Sequence, residues 1–311
     1  MNICPITFQF CGDNKYSEKG LKLLSRNLIR LKDLPFTQAE QLKEAAIRAD
    51  KMSIQGVQPK LSAKLNAKDE IFNVVDRGGE YILKPQNIFY PELPENESLT
   101  MKLAELIEIE VPLSGMVYSS DGKFTYFIKR FDRYGRNKKL SVEDFAQLAG
   151  KSRDTKYDYS MEKLVTLIDA FCTFPAIEKV KLFRLTIFNF LIGNEDMHLK
   201  NFSLITRDNK VELSPAYDLL NTTIVVPKTQ EEIALPLAGK KRNLSAKILI
   251  NYFATEVLKL NATIISQVLN KIIEVQSKWE ELIKVSFLSN EMKEKYSGLI
   301  NKRKNVLQIL R

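Results

Sequence analysis

The sequence predicts an α+β, two-lobed chain: a sheet-rich N-terminal part holding one embedded helix, then a helical C-terminal part holding one small hairpin. Three observations lead there. Apolar residues alternate with period two from about residue 52 to 131, they recur at helical spacing beyond about residue 140, and neither an internal repeat nor a long linker interrupts them. With 311 residues, 44% apolar and 27% charged, the chain has globular proportions and enough length for one large or two medium cores.

Each element has a local reason. Thr37-Gln38-Ala39-Glu40 is a T-x-x-E capping box that opens a helix with Leu42, Ala45, Ala46 and Ala49 on one face. Leu61, Ala63 and Leu65 alternate; Phe72–Val75 and Tyr81–Lys84 flank the turn-rich Asp76-Arg77-Gly78-Gly79; Gly115–Ser119 and Phe124–Arg130 flank Asp121-Gly122. Those turns are hairpin signals, so the expected sheet is antiparallel. Glu95–Ile107 reads as the embedded helix, with Leu99, Leu103, Ala104 and Ile107 on one face. Glu143–Ala149, Met161–Phe171 and Pro175–Ile192 read as helices, the last with proline in its first turn. Phe202–Ile205 and Val211–Leu213 form the small hairpin, and nearly everything from Ser245 on is helical, including one long helix over Thr263–Val285.

Composition removes several functions. The single histidine, His198, rules out a zinc site built on two or more histidines and the H-E-x-x-H metalloproteases. Cys4, Cys11 and Cys172 are odd in number with no C-x-x-C, which argues against a disulfide framework and for a reducing compartment. No apolar run approaches the roughly 18 residues of a membrane span, and the first twenty residues lack the order of a secretory signal, so a cytoplasmic protein is expected. Lys and Arg total 47 against 38 Asp and Glu, a formal net charge of +9, which favours polyanionic partners without choosing among them.

The chemistry concentrates in Gly193-Asn194-Glu195-Asp196-Met197-His198-Leu199-Lys200-Asn201, a polar loop between a helix and a strand. Asp196 and Asn201 stand in D-x-x-x-x-N spacing, which in protein kinases lets the Asp accept the acceptor hydroxyl's proton while the Asn holds magnesium. Asp218 follows one hairpin later, where a second metal ligand is required. Lys84 ends an alternating strand like the V-A-I-K lysine that neutralises ATP phosphates, and Glu97 falls on the embedded helix where a kinase keeps that lysine's partner. Each has an ordinary reading as well: loop residues after a helix, a turn cap, an edge-strand lysine, a solvated helix charge. Their order on the right elements separates the readings. The kinase patterns G-x-G-x-x-G, H-R-D and D-F-G are absent; Glu195-Asp196-Met197 stands at the base and Leu219 follows Asp218.

The residues resemble the HipA-type serine/threonine kinases of bacterial toxin–antitoxin systems. The resemblance runs from Ser53 to about Leu220, through Ser-Ile-Gln-Gly-Val-Gln-Pro-Lys (53–60), Tyr-Ile-Leu-Lys-Pro (81–85), Glu-Asn-Glu (95–97), Phe-Ile-Lys-Arg-Phe-Asp-Arg (127–133), Glu-Asp-Phe-Ala-Gln (143–147), the Gly193–Ser203 loop and Ser-Pro-Ala-Tyr-Asp-Leu (214–219). It implies a kinase-like fold with an N-terminal lobe over 1–131 and a C-terminal lobe over 132–311, ATP with Mg2+, and transfer of the γ-phosphate to a protein hydroxyl. It makes Asp196 the catalytic base and puts Asn201 and Asp218 on magnesium. Lys84, paired with Glu97, would hold ATP phosphates; Gln55, Gly56, Val57, Gln58 and Lys60 would line the phosphate loop; and Lys129, Arg130 and Phe131 would form the hinge. Asp132 would lie near the ribose, with His198 and Lys200 bordering the nucleotide, and Ser53 would be the autophosphorylated serine whose modification swings the loop outward.

Only about 50 residues precede Ser53, which resembles the short HipT branch of tripartite HipBST systems, as does the Ser53-Ile54-Gln55 triplet. That branch implies a small HipS-like protein and a HipB-like DNA-binding antitoxin as partners, and an aminoacyl-tRNA synthetase as protein substrate. Met197 stands where many relatives carry Arg, which bears on the acceptor side. The rival reading is a catalytically silent kinase-fold module that binds nucleic acid or a regulatory partner through basic clusters such as Arg136–Lys139, Lys240–Arg242 and Lys302–Lys304. The full set of Lys84, Asp196, Asn201 and Asp218 argues for the enzyme.

Overall fold

Alternating segments become strands wherever turn residues divide them. In the computed structural model, residues 2–48, 58–135, 138–226 and 231–308 are described. The chain divides into two compact units: Met1–Leu99, Pro112–Asn137 and Lys284–Ser289 form one, and Thr100–Val111, Lys138–Ile283 and Asn290–Arg311 form the other.

The first unit is built on an antiparallel sheet of β1 (Leu61–Asn66), β2 (Ile71–Val74), β3 (Tyr81–Lys84), β4 (Ser114–Tyr118) and β5 (Phe124–Lys129), in the order β2-β1-β3-β5-β4. Asp121-Gly122 does close the β4–β5 hairpin, with Gly122 at φ +77°. The turn at Asp76–Gly79 does not close a hairpin: β2 and β3 both pair with β1, which lies between them. The connection therefore passes tight against β1, and a Cβ on Gly79 would come within 1.9 Å of Ser62 Oγ. Only glycine passes there. Phe72, Tyr81 and Phe127 pack on one another beneath the sheet, with centroids 5.0 to 6.1 Å apart.

Helix α1 (Glu18–Leu24), which periodicity does not announce, is capped by Ser17 and buries Leu21 and Leu24. Helix α2 (Gln38–Arg48) opens with the expected box, Thr37 N–H donating to Glu40 and Glu40 N–H to Thr37 Oγ1. Its buried face differs from expectation: Gln38, Gln41 and Ala45 are buried while Ala46 is exposed. The glutamine amides donate to Ser119 and Thr125 hydroxyls and the Phe124 carbonyl, so their burial leaves no polar group unpaired. Helix α3 (Leu93–Leu106) buries Leu99, Leu103 and Ala104 on the expected face, with Ile107 just beyond it. A two-residue strand, β6 (Arg133–Tyr134), follows β5.

In the second unit a short β7 (Lys138–Lys139) precedes β8 (Val142–Asp144), which pairs with β9 (Ser203–Arg207) and through it with β10 (Lys210–Leu213). The expected hairpin thus gains a third strand. Glu143 lies in that strand, and α4 (Phe145–Leu148) starts later than expected, because Asp144 and Gln147 make a reciprocal cap. Helices α5 (Met161–Phe171) and α6 (Pro175–Ile192) have the expected bounds. A wide helical turn over Lys247–Val257 leads to α7 (Ala262–Glu274), α8 (Gln276–Val285) and α9 (Asn290–Leu307). The single helix expected over 263–285 is broken at Val275, which caps α7. From Leu185 to Ile192 every residue of α6 is buried. That wall carries the loop that follows it.

Candidate active site

In the first unit β3 runs between β1 and β5 and delivers Lys84 at its end. Its Nζ lies 2.6 Å from Glu97 Oε1 on α3, both side chains being 3% exposed, and 5.5 Å from the centre of the Tyr126 ring. A charged pair so deeply buried stands only if each partner satisfies the other. Gln58 and Lys60 are half-buried just before β1. Ser53, Gln55, Gly56 and Val57 lie outside the described residues.

At the end of β5, Lys129 N–H donates to the Leu113 carbonyl and Arg130 N–H to that of Glu80, each at 2.8 Å, so the sheet uses both. The Arg130 fork grips Asp132 at 3.0 and 2.8 Å, and Arg133 reaches the same carboxylate at 2.5 Å. Phe131, half-buried, sits within this braced segment.

In the second unit α6 ends at Gly193, φ +78°, where a Cβ would meet Leu299 at 2.5 Å and Thr223 at 2.6 Å. The loop then winds around one carbonyl: Asp196 O accepts from His198 N–H and from Asn201 Nδ2, both at 2.8 Å. Donating through Nδ2 leaves the Asn201 amide oxygen as the acceptor a cation needs. Asp196 is exposed, and its Oδ1 accepts the Tyr157 hydroxyl. Its neighbour Glu195 turns inward to Thr223 Oγ1 at 2.6 Å and Arg303 Nη2 at 3.3 Å.

His198 is buried, and burial lowers its pKa, so the ring is neutral near pH 7. Its Nδ1 has no hydrogen-bond partner among the described residues, and its ring meets Tyr157 edge-on at 5.0 Å. Lys200 turns to Asp144 at 3.2 Å. Tyr217 donates to the Lys200 carbonyl at 2.9 Å, and Asp218 follows in the left-handed region at φ +54°, half-buried. Lys156 lies where the carboxylates of Asp196 and Asp218 both act on it; burial, the larger influence, lowers its pKa.

Asp196 and Asn201 are therefore directly bonded, while the ammonium of Lys200 is directed elsewhere. Lys156 and Tyr157 were not found from sequence, because no period or motif marks the stretch between α4 and α5, and the Glu195–Arg303 pair was not found because its partners lie 108 residues apart. Among the described residues no three His, Cys, Asp or Glu side chains gather as a protein-only metal cage. Magnesium rarely uses one; one or two side-chain oxygens plus substrate phosphates suffice, which the Asn201 amide and the Asp218 carboxylate fit.

The fold is that of kinase-like proteins. Shewanella oneidensis HipA, solved with HipB and its operator DNA, shares the fold with a TM-score of 0.68 at 21% identity, over 90% of this chain and 73% of that one. The Helicobacter pylori proinflammatory kinase CtkA gives 0.54 at 16% identity, over 74% and 88%. Residues 52–279 match the HipA-like C-terminal domain, and the chain belongs to that family. A Haemophilus influenzae protein named "Putative kinase" is 30% identical over 93% of this chain and 92% of its own length. The serine/threonine-protein kinase toxin HipA of Shewanella oneidensis is 29% identical over 55% of this chain, a match spanning 43% of the toxin. Among the described residues no helix is long and apolar enough to cross a membrane.

Proposed function

We propose that this chain is an ATP- and magnesium-dependent serine/threonine protein kinase acting as the toxin of a cytoplasmic toxin–antitoxin system. The observation that carries the reading is the Asp196 loop: an exposed carboxylate on a residue whose backbone carbonyl accepts from Asn201 Nδ2 at 2.8 Å, five residues on. Asp196 accepts the proton of the acceptor hydroxyl as the γ-phosphate is transferred, Asn201 and Asp218 hold the cation, and Lys84, fixed by Glu97, takes phosphate charge. A magnesium ion held by Asn201 and Asp218 would supply positive charge against the phosphates during transfer. The reading keeps Gln58 and Lys60 with the phosphates, Lys129–Asp132 with adenine and ribose, and His198 and Lys200 beside the nucleotide. The lobe division 1–131 and 132–311 belongs to the same reading.

The finer assignment is the HipT branch, on the Ser53-Ile54-Gln55 triplet, with Ser53 as autophosphorylation switch. Phosphate there adds roughly −1.5 to −2 charges, which repel ATP phosphates unless the loop moves away. The protein substrate is an aminoacyl-tRNA synthetase, and the partners are a HipS-like protein and a HipB-like DNA-binding antitoxin. The Shewanella HipA structure, which holds HipB and operator DNA, supports an antitoxin of that class.

The test is to incubate the full chain, or its Asp196→Asn variant, with γ-labelled ATP, magnesium and cell lysate, and to map labelled peptides by mass spectrometry. The wild type should label itself at Ser53 and label one synthetase, while Asp196→Asn loses about 100- to 10,000-fold. No transfer by the wild type, or equal transfer by the variant, refutes the kinase. A major self-labelled site outside residues 53–62 refutes the switch alone.

A further inference from the structure

We infer that Tyr157 is a positioning residue for phosphoryl transfer: its hydroxyl occupies Asp196 Oδ1, fixing the carboxylate so that Oδ2 faces the acceptor hydroxyl. The inference rests on the reading of Asp196 as the base.

Tyr157 lies in the stretch 149–160, between α4 and α5, and is 38% exposed, so its ring is not there to fill a core. It is nonetheless held at several points. Leu199 N–H donates to the carbonyl of Lys156 at 3.3 Å, which ties this stretch to the catalytic loop. The ring meets His198 edge-on at 5.0 Å and 85°, and the ammonium groups of Lys156 and Lys241 lie 5.0 and 5.9 Å from its centre. Those contacts aim the hydroxyl at one carboxylate oxygen. Burial, and then the bond to Asp196, push the phenol's pKa up, so it remains a donor throughout the working range.

A carboxylate has two oxygens, and a base must present one of them to the proton it takes. Without a donor on Oδ1, the exposed Asp196 side chain can rotate between both oxygens and several rotamers. With Oδ1 occupied by a fixed phenol, one oxygen and one orientation remain. The bonds donated by His198 N–H and Asn201 Nδ2 hold the Asp196 backbone carbonyl and leave the carboxylate free to turn. Tyr157 supplies the missing constraint.

The experiment compares the full-length wild type, Tyr157→Phe and Asp196→Asn. Tyr157→Phe deletes one oxygen and keeps the ring against His198. Autophosphorylation with γ-labelled ATP, measured across ATP concentrations, gives a maximal rate and a half-saturating ATP level; thermal melting follows the fold. Loss of a fixed orientation should lower the maximal rate about ten- to a hundredfold. Half-saturating ATP and the melting midpoint should stay at wild-type values, since the deleted hydroxyl bonds Asp196 and the ring keeps its contact with His198. Tyr157→Phe at or above the wild-type rate, with Asp196→Asn inactive, overturns the inference and makes the phenol idle or inhibitory. A change confined to half-saturating ATP overturns it too. Asp196→Asn at full rate removes the base assignment itself, and the inference with it.

Discussion

Breaking the Lys84–Glu97 pair separates what holds the first unit together from what performs chemistry. The two groups meet at 2.6 Å with 3% of each side chain exposed, so water cannot replace either partner. Removing one charge from such a pair typically costs about 3–5 kcal/mol, since the other is left buried and uncompensated. Lys84 has contacts beyond Glu97, including the face of Tyr126 at 5.5 Å, which puts the expected loss for Glu97→Gln near the lower end, about 3 kcal/mol. At about 2–4 °C per kcal/mol, the melting midpoint should fall by roughly 6–12 °C. The double variant Lys84→Met with Glu97→Leu removes both charges while filling similar volume, and should recover stability to within about 1 kcal/mol of the wild type. Yet it should transfer no phosphate, because Lys84 is gone. Calorimetric melting and labelled-ATP transfer on the same three proteins decide the matter. Glu97→Gln with an unchanged midpoint would refute the electrostatic argument, and transfer by the stable double variant would refute the role given to Lys84.

Two further outcomes follow from particular side chains. Asp218 sits at φ +54°, a conformation Asn tolerates and Ala does not, so Asp218→Asn is the clean removal of its charge. Titration calorimetry should show ATP binding by that variant without the wild type's magnesium dependence; full retention of that dependence places the metal elsewhere. Glu95, on the first turn of α3, has its Oε2 buried with no partner among the described residues, and burial raises its pKa from 4.5 to about 7. Its folded form therefore binds the extra proton, so the group costs nothing below about pH 4.5 and costs increasingly more stability as pH rises towards 7. Glu95→Gln should gain on the wild type by an amount that grows across that interval, on the order of 3 kcal/mol by pH 8, in urea melts taken at several pH values. A difference that does not vary with pH refutes the shift.

Local punctuation explains which elements were legible in the sequence. Pro175 and Gly193 bracket α6, and both ends fall where those residues dictate, because proline fits a first turn and glycine alone fits the left-handed exit against Leu299 and Thr223. Asp121-Gly122 marks a real hairpin, but Gly78-Gly79 does not, since a turn signal fixes a bend and not the strand that pairs afterwards. The buried glutamines of α2 defeat hydrophobic periodicity for a different reason: their burial depends on Ser119 and Thr125, some eighty residues away. The site divides in the same way. Asp196 and Asn201 could be read from spacing, because one loop sets both. Tyr157 could not, because its bond to Asp196 spans 39 residues and leaves no trace in a local pattern.

The opposite fates of Glu195 and Asp196 show how the second unit holds an exposed carboxylate in place. These are consecutive acids on one short loop, yet Glu195 is 6% exposed against an equally buried Arg303, while Asp196 faces outward. The turn after Gly193 points neighbouring side chains to opposite sides, so what fixes one fixes the other. Arg303, from α9, bonds the Phe190 carbonyl at the end of α6, lies 5.1 Å from the centre of the Phe190 ring and reaches Glu195. Thr222 and Thr223 close the other side through the Gly193 carbonyl, at 3.0 and 3.1 Å. A buried ion pair adds little net stability over a well-packed apolar pair. What it does supply is direction, since a buried carboxylate that must reach both Thr223 and Arg303 restricts the loop to conformations that bring it to them. Arg303 lies on α9, beyond the segment 52–279 that matches the family. The carboxylate proposed as the base is thus anchored through its buried neighbour and bonded by the Tyr157 phenol, and its own side chain remains exposed.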